Sequence, residues 1–283
     1  MSVRIIIDSA SDLRAEVAAE KGLLFAPLKT FLDGTEYRDG IDITPDVFYD
    51  KLKANKELAR TSQVNASEFA ALYEQAIAAG DDVLVITISS GLSGTYQSAV
   101  LAKEGYEDRV LVLDSLSASA GEQVLIARAV ALRDEGRSAK EIYEELLVLR
   151  KRLRLILRVE TLEYLKRGGR ISKTAAFVGG MLRVMPILIL NSEGKLENVG
   201  KARGVKMSHK MLNEQIALSG IDPTMPVAIT YAGSLDDGAV DAYLADSGAL
   251  FDEERDNLSI GELGCVIGTH TGPGAIVIGY ISK

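Results

Sequence analysis

Asp82-Val83-Leu84-Val85-Ile86-Thr87-Ile88-Ser89-Ser90-Gly91-Leu92-Ser93-Gly94-Thr95-Tyr96-Gln97-Ser98-Ala99-Val100-Leu101-Ala102-Lys103 carries the fold in miniature. The apolar alternating run from Asp82 to Ile88 reads as a strand, Ser89-Ser90-Gly91 as a turn, and Thr95 to Lys103 as a helix opening on Gly94. Strand, turn and helix N-terminus in that order form the repeating unit of an α/β protein. The stretch also suits an anion. Its glycines let backbone approach a ligand, exposed N–H groups and the helix dipole favour negative charge, and Ser90, Ser93 and Thr95 add neutral donors. A carboxylate or phosphate group fits such a loop, and simple capping of the helix by Ser93 and Thr95 accounts for it about as well. A second stretch, Ile267-Gly268-Thr269-His270-Thr271-Gly272-Pro273-Gly274, repeats the mixture of glycine and hydroxyl in what reads as another loop. The repetition tilts the balance towards a site.

Working outward, residues 1–155 alternate strands with helices in the manner of a parallel sheet. A strand over 3–8 runs into Asp8-Ser9-Ala10-Ser11-Asp12, where Ser9 and Asp12 have capping-box-like spacing for a helix through Lys21. Phe25 to Leu32 reads as one strand, Asp33-Gly34 as a tight turn, and Thr44-Pro45 as the start of a helix over 46–54. Thr61-Ser62-Gln63 precedes another helix, with Asn65 and Glu68 at capping-box spacing. A strand over 109–113 leads into Asp114-Ser115-Leu116-Ser117-Ala118-Ser119 and then two helices reaching Leu153. Hydroxyl-rich loops thus recur after strands, where open α/β sheets bind their ligands. Beyond 155 come a strand over 153–159, helices broken at Gly168-Gly169, a strand over 184–190 and a hairpin turn over 191–195. The expected fold is α/β with two domains. Residues 1–155 form a three-layer α/β/α unit on a mostly parallel sheet, and residues 156–283 an α/β unit with a mixed sheet. The apolar stretch Ala175 to Leu182 reads as a helix of the core, or as the wall of a slot for an alkyl chain.

With 283 residues, 47% hydrophobic and 25% charged, the chain can bury a sizeable core. No apolar run reaches the length of a membrane span, and the N-terminus leads straight into a strand, so the expected location is the cytoplasm, with no stable membrane insertion. A single cysteine, Cys265, and two histidines, His209 and His270, speak against a disulfide framework or a thiolate and imidazole metal site. The net charge of -8 hides a segregation. Residues 150–210 hold 15 Lys and Arg against 4 Asp and Glu, a net of +11, which leaves -19 on the rest. Such a basic middle is either a solvated face or a surface for an acidic macromolecule. Nucleic acid ranks below protein, because the whole chain is acidic and carries no aromatic-rich basic sheet.

Enzymatic signatures are sparse. Gly91-Leu92-Ser93-Gly94-Thr95 lacks the last glycine of G-x-S-x-G, although an esterase or acyltransferase using Ser93 and His270 stays open. Ser192-Glu193-Gly194-Lys195 matches S-x-x-K only on a hairpin turn. Neither a P-loop nor G-x-G-x-x-G occurs. The residues equip a binder more than a catalyst, so no catalytic residue and no cofactor is assigned.

Several segments together resemble the bacterial DegV family, which includes the fatty-acid-binding subunits of fatty acid kinase. They are Asp8-Ser9-Ala10-Ser11-Asp12-Leu13, Tyr37-Arg38-Asp39-Gly40-Ile41-Asp42-Ile43, Thr61-Ser62-Gln63, the Leu92 to Ala99 stretch, Thr161 to Ile171 and the Ile267 to Gly274 stretch. The resemblance implies a long-chain fatty acid such as palmitate or stearate lying between the two domains. A separate kinase subunit then phosphorylates the presented carboxylate, a step in phospholipid metabolism. Carried over by position, Thr61, Ser93 and His270 match the headgroup contacts, with Ser62, Gly94 and Thr271 as neighbours and Thr95 added from the loop reading. Where the family often continues Thr-Ser-Gln with Pro, this chain has Val64-Asn65. The head motifs contain no arginine, so neutral donors are expected to orient the carboxylate without neutralising it. Arg170 and Arg203 in the basic middle are the expected docking residues for the kinase, dispensable for lipid binding.

Overall fold

Successive strand residues point to opposite faces, and in the first half of the chain both faces are apolar, which demands cover on two sides. The computed structural model describes residues 2–54, 59–171, 184–251 and 257–283. Its first part runs β1 (Val3–Asp8), α1 (Ala15–Glu20), β2 (Leu24–Ala26), β3 (Lys29–Leu32), β4 (Thr35–Arg38), α2 (Pro45–Ala54) and β5 (Arg60–Ser62). Next come α3 (Ala66–Ala78), β6 (Asp82–Thr87), α4 (Thr95–Ala102), β7 (Val110–Asp114), α5 (Ser119–Asp134) and α6 (Ala139–Arg152). The second part adds β8 (Leu153–Arg158), α7 (Glu163–Arg167), β9 (Val184–Leu190), β10 (Leu196–Arg203) and α8 (Val205–Ser219). It closes with β11 (Val227–Tyr231), α9 (Ala239–Ser247), β12 (Leu258–Glu262), α10 (Cys265–Thr271) and β13 (Ile276–Ile281).

Four parallel strands in the order β2-β1-β6-β7 form the first sheet. Ile6, Val83, Val85, Val110 and Val112 pack on one side with Phe69 and Tyr73 of α3 and Ala99 of α4. Ile5, Ile7, Leu84, Ile86 and Leu113 pack on the other with Leu125 and Ala129 of α5 and Ile142 and Leu146 of α6. The expected three layers are thus built by strand alternation. The second sheet is mixed, β10-β9-β8-β13-β11-β12, antiparallel except for the last pair. Here Ile156, Ile187, Ile229 and Ile278 face α8 and α9, whereas Leu155, Leu157 and Val277 face the same core as α5. Helix α5 is therefore shared by both sheets, which is why its residues are buried on several sides. Its backbone touches β13. A methyl group on Gly279 would lie 2.4 Å from the Ala120 carbonyl carbon and from the Gly121 nitrogen.

Three expectations are corrected. Phe25 to Leu32 is not one strand: Pro27 cannot donate to a ladder, the Leu28 N–H turns to Ser9 Oγ at 3.0 Å, and β3 joins β4 and β5 in a separate antiparallel sheet. Ser9 and Asp12 do not box a helix. Asp8 caps a 3-10 turn over Ser9–Ser11, and α1 begins only at Ala15. The Ile267 to Gly274 stretch is mostly helix α10 rather than loop. The Asp33-Gly34 turn is as expected, with φ of 54° and 71°, the pair of positive values that a two-residue hairpin turn takes. The helix expected over 175–182 lies outside the described residues.

Candidate ligand-binding site

A pocket of about 650 Å³, mouth included, opens where the carboxyl ends of the first sheet meet α5, α10 and the second sheet. Its long part is apolar, with Leu155, Leu157, Leu190, Leu196 and Val277 from the second sheet and Leu28 and Ile88 from the first half. Its polar end gathers Thr61, Ser62, Gln63, Ser93, Arg170 and His270. Thr61 and His270 are 209 residues apart in sequence, and their Oγ1 and Nε2 atoms are 2.8 Å apart.

Topology places each of these groups. Thr61 lies on β5, opposite Thr30 of β3. Ser93 follows β6 on a turn most of whose amides are engaged within the fold: Ile88 N–H donates to Asp8, Ser89 to the Ser117 carbonyl, Ser90 to Asp114, and Leu92 and Ser93 to the Ser89 carbonyl. The Ser93 side chain is the part of this turn's polar equipment that lines the pocket. Ser93 Oγ accepts from the Thr95 N–H at 3.3 Å and pairs with Thr95 Oγ1 at 2.9 Å. With the Thr95 hydroxyl donating, the Ser93 proton is left for a ligand. Thr95 is buried behind Ser93 and does not line the pocket. Gly94 also stands behind it: a methyl there would lie 2.1 Å from Gln63 Oε1. Through that gap Gln63 reaches Ser98 Oγ at 2.7 Å and pins β5 to α4.

His270 lies in the last turn of α10, against Gly168, where a methyl would lie 2.1 Å from Nδ1. Burial, aided by the positive charge of Arg170, pushes the imidazole down to about 3, so the ring is neutral at physiological pH. Its Nδ1 is buried without a partner. A bare acceptor is less costly to bury than a bare donor, which favours the proton on Nε2, donated to Thr61. The Thr61 hydroxyl proton is then free for a ligand. Arg170 donates from Nε to the Leu92 carbonyl at 3.0 Å and from Nη1 to the Gly168 carbonyl at 2.6 Å. It therefore braces both the Ser93 turn and the seat of His270. The head is not free of arginine, contrary to expectation: Arg170, expected from the sequence as a docking residue, lines it.

The structure brings together Thr61, Ser62, Ser93, His270 and Thr271, though the Thr271 hydroxyl is occupied by the Ile267 carbonyl at 3.2 Å. Arg203 lies elsewhere, lining a surface groove with Lys206 and Lys210 of α8. Gln63 and Ser119 belong to the pocket and were missed as site residues; Gln63 was signalled by its place beside Thr61 and Ser62. Ser93 and His270 do not bond each other: each is paired with a threonine hydroxyl. No cluster of three metal-ligating side chains occurs among the described residues, and no described helix is long and apolar enough to cross a membrane.

These features define an α/β protein with two large sheets and a small third one, and an apolar pocket lined from all three that is closed by neutral hydroxyl donors, an uncharged histidine and one arginine. The sequence pattern of the DegV family, described as uncharacterised proteins, matches residues 2–283. This chain belongs to the DegV family. A DegV domain-containing protein of Clostridium perfringens is 33% identical over 288 residues, covering 98% of this chain and 96% of the relative. A Thermus thermophilus DegV family protein, solved for its fatty acid binding, is 35% identical with a TM-score of 0.89 over 100% of both chains. A stearic acid-binding protein of Eubacterium ventriosum is 29% identical with a TM-score of 0.81, covering 100% of this chain and 99% of its own. The fold also matches, at 21% identity and a TM-score of 0.85 over 100% of both chains, the Fatty Acid Kinase (Fak) B3 protein of Streptococcus pneumoniae loaded with linoleic acid.

Proposed function

We propose that the pocket holds one long-chain fatty acid, such as palmitate or stearate, between a unit of residues 1–155 and a unit of residues 156–283. Its carboxylate lies at Thr61, Ser93 and His270. The observation that carries this reading is the pocket's polarity, an apolar wall ending at the hydroxyls of Thr61 and Ser93 beside His270. The fatty acids bound by the Thermus and Eubacterium relatives support the same class of ligand. Burying about 14 methylenes of a C16 tail gains roughly 11 kcal/mol at about 0.8 kcal/mol each, and association costs of about 4–15 kcal/mol offset much of it. The tail supplies affinity and the head sets orientation. Extraction of the purified protein with organic solvent, followed by mass spectrometry, tests the reading. A stoichiometric fatty acid in wild type, depleted in Ser93→Ala, is expected. A wild type that is empty and takes up no added fatty acid contradicts it.

The chain does no chemistry itself in this reading: it presents the carboxylate, in the cytoplasm, to a separate kinase subunit that makes the acyl phosphate. Support comes from resemblance to kinase-associated family members and from the Ser93 and His270 pairings, in which each is bonded to a threonine hydroxyl and not to the other. Arg203, on a surface groove away from the pocket, is a docking residue for that kinase. Arg203→Glu should leave fatty acid binding unchanged and reduce phosphorylation at least tenfold, about 1.4 kcal/mol; unaltered phosphorylation removes Arg203 from the interface. Arg170 has a double role. Because it braces Leu92 and Gly168, Arg170→Glu should weaken lipid binding as well.

A further inference from the structure

Among the described residues, four non-glycine residues hold a left-handed backbone: Asp12, Asp33, Leu116 and Ser119, with φ of 60°, 54°, 49° and 53°. Asp33 sits in a hairpin turn that requires it. Asp12 and Ser119 come from different loops and bond each other, the Ser119 hydroxyl donating to Asp12 Oδ2. Such backbone persists where its surroundings over-determine it, often beside a functional site. Ser119 is the first residue of α5 and stands in the pocket wall, and Thr230 Oγ1 of β11 backs it at 2.7 Å. The other oxygen of Asp12 accepts the N–H of Gly264 at 2.9 Å, immediately before α10. Asp39 takes the next two amides, Cys265 at 3.0 Å and Val266 at 3.4 Å. One carboxyl thus fastens the helix that walls the pocket to the helix that carries His270.

We propose that Asp12 is a positioning residue for the bound ligand: it clamps the N-termini of α5 and α10 together and so sets how tightly the pocket closes on its occupant. The proposal rests on the fatty acid reading above, and it adds to that reading a residue that touches no ligand. Asp12 does not line the pocket; its two hydrogen bonds act through Ser119 on one wall and through α10 on the head.

Two measurements on the full chain test the clamp: the dissociation rate of a fluorescent long-chain fatty acid, and amide hydrogen exchange without ligand. Asp12→Ala should speed dissociation about tenfold, the scale of one buried hydrogen bond to an acidic group. It should also raise exchange selectively over 118–121 and 264–271. Asp12→Asn keeps an acceptor for Gly264 and tolerates left-handed backbone, so it should restore a rate close to wild type. Ser119→Ala cuts the α5 arm alone and carries the test if Asp12→Ala fails to fold; a faster release supports the clamp, and an unchanged rate overturns it. Exchange that rises evenly over both sheets with dissociation unaltered makes Asp12 an ordinary fold contact and overturns the proposal. If wild type binds no fatty acid, the ligand reading falls by itself; coupled loosening of the two helices still supports the clamp, and its absence removes it.

Discussion

His270 shows how far burial reshapes one side chain. An ordinary histidine titrates near 6.5, and this one is held down at about 3. Between those values the unfolded chain binds a proton that the folded chain refuses. The contribution of His270 to stability is therefore complete above about 6.5 and falls as the pH drops towards 3, with a slope approaching about 1.4 kcal/mol per pH unit. Asp8 works in the opposite sense. Burial raises its carboxyl to about 7, so its contribution is complete at acid pH, below its usual value, and is lost as the pH rises towards 7. Two outcomes follow for His270. Its ring carbons should show no titration by NMR between pH 8 and pH 5, and the stability of wild type relative to His270→Gln should decline as the pH falls below about 6.5. A midpoint near 6.5 would place the ring in solvent and undo the assignment of Thr61 as a donor. The pairing itself was not legible in the residues: nothing in the spacing of Thr61 and His270 joins them, and only the family resemblance put both at one headgroup.

Among the elements, α5 and β13 pack backbone against backbone at Gly279. A methyl group there meets carbonyl carbon and amide nitrogen at 2.4 Å, and neither can rotate aside as a side chain could. Gly279→Ala should cost about 1–3 kcal/mol or more, the usual penalty of overpacking, read by chemical denaturation; a cost below about 0.5 kcal/mol, typical of a surface change, would mean that the two elements are less closely packed than described. The strands were legible because alternation survives on both faces, as Ile5, Ile6 and Ile7 show by burying into opposite layers. Where local signals were weak, tertiary contacts decided. Helix α10 has only seven residues, including a glycine and two threonines, and reads as a loop. It is helical because Asp12 and Asp39 supply its amino-terminal hydrogen bonds from more than 220 residues away. The end of β2 is marked by Pro27, although the apolar residues on either side of it read as one strand.

For the molecule as a whole, the pocket couples ligand binding to stability. Its walls come from both sheets, so a ligand that fills it binds the folded chain alone. At a hundred times its dissociation constant such a ligand adds about 2.7 kcal/mol. For a chain of this size that raises the melting temperature by roughly 5–10 °C at about 2–4 °C per kcal/mol. Calorimetry with palmitate should show this rise, and Val277→Glu, which places a charge in the apolar wall, should abolish it; a rise that survives the charge would move the tail elsewhere. The charge segregation is partly spent within the fold. Arg152 pairs with Asp222 at 2.7 Å and buried Arg158 with Glu160 at 2.8 Å, which leaves the α8 end around Arg203 as the more exposed part of the basic middle.

The position of β13 also imposes a schedule. This strand, at residues 276–281, lies inside the second sheet between β8 and β11, and α5 cannot be covered on that side before it arrives. At synthesis rates of about 5–20 residues per second, the 209 residues separating Thr61 from His270 take roughly 10–40 s to make. Throughout that interval the ribosome carries a chain whose first sheet can fold while the cavity beside it lacks its histidine and the β13 part of its wall. A nascent chain therefore has no complete pocket until α10 and β13 have been made.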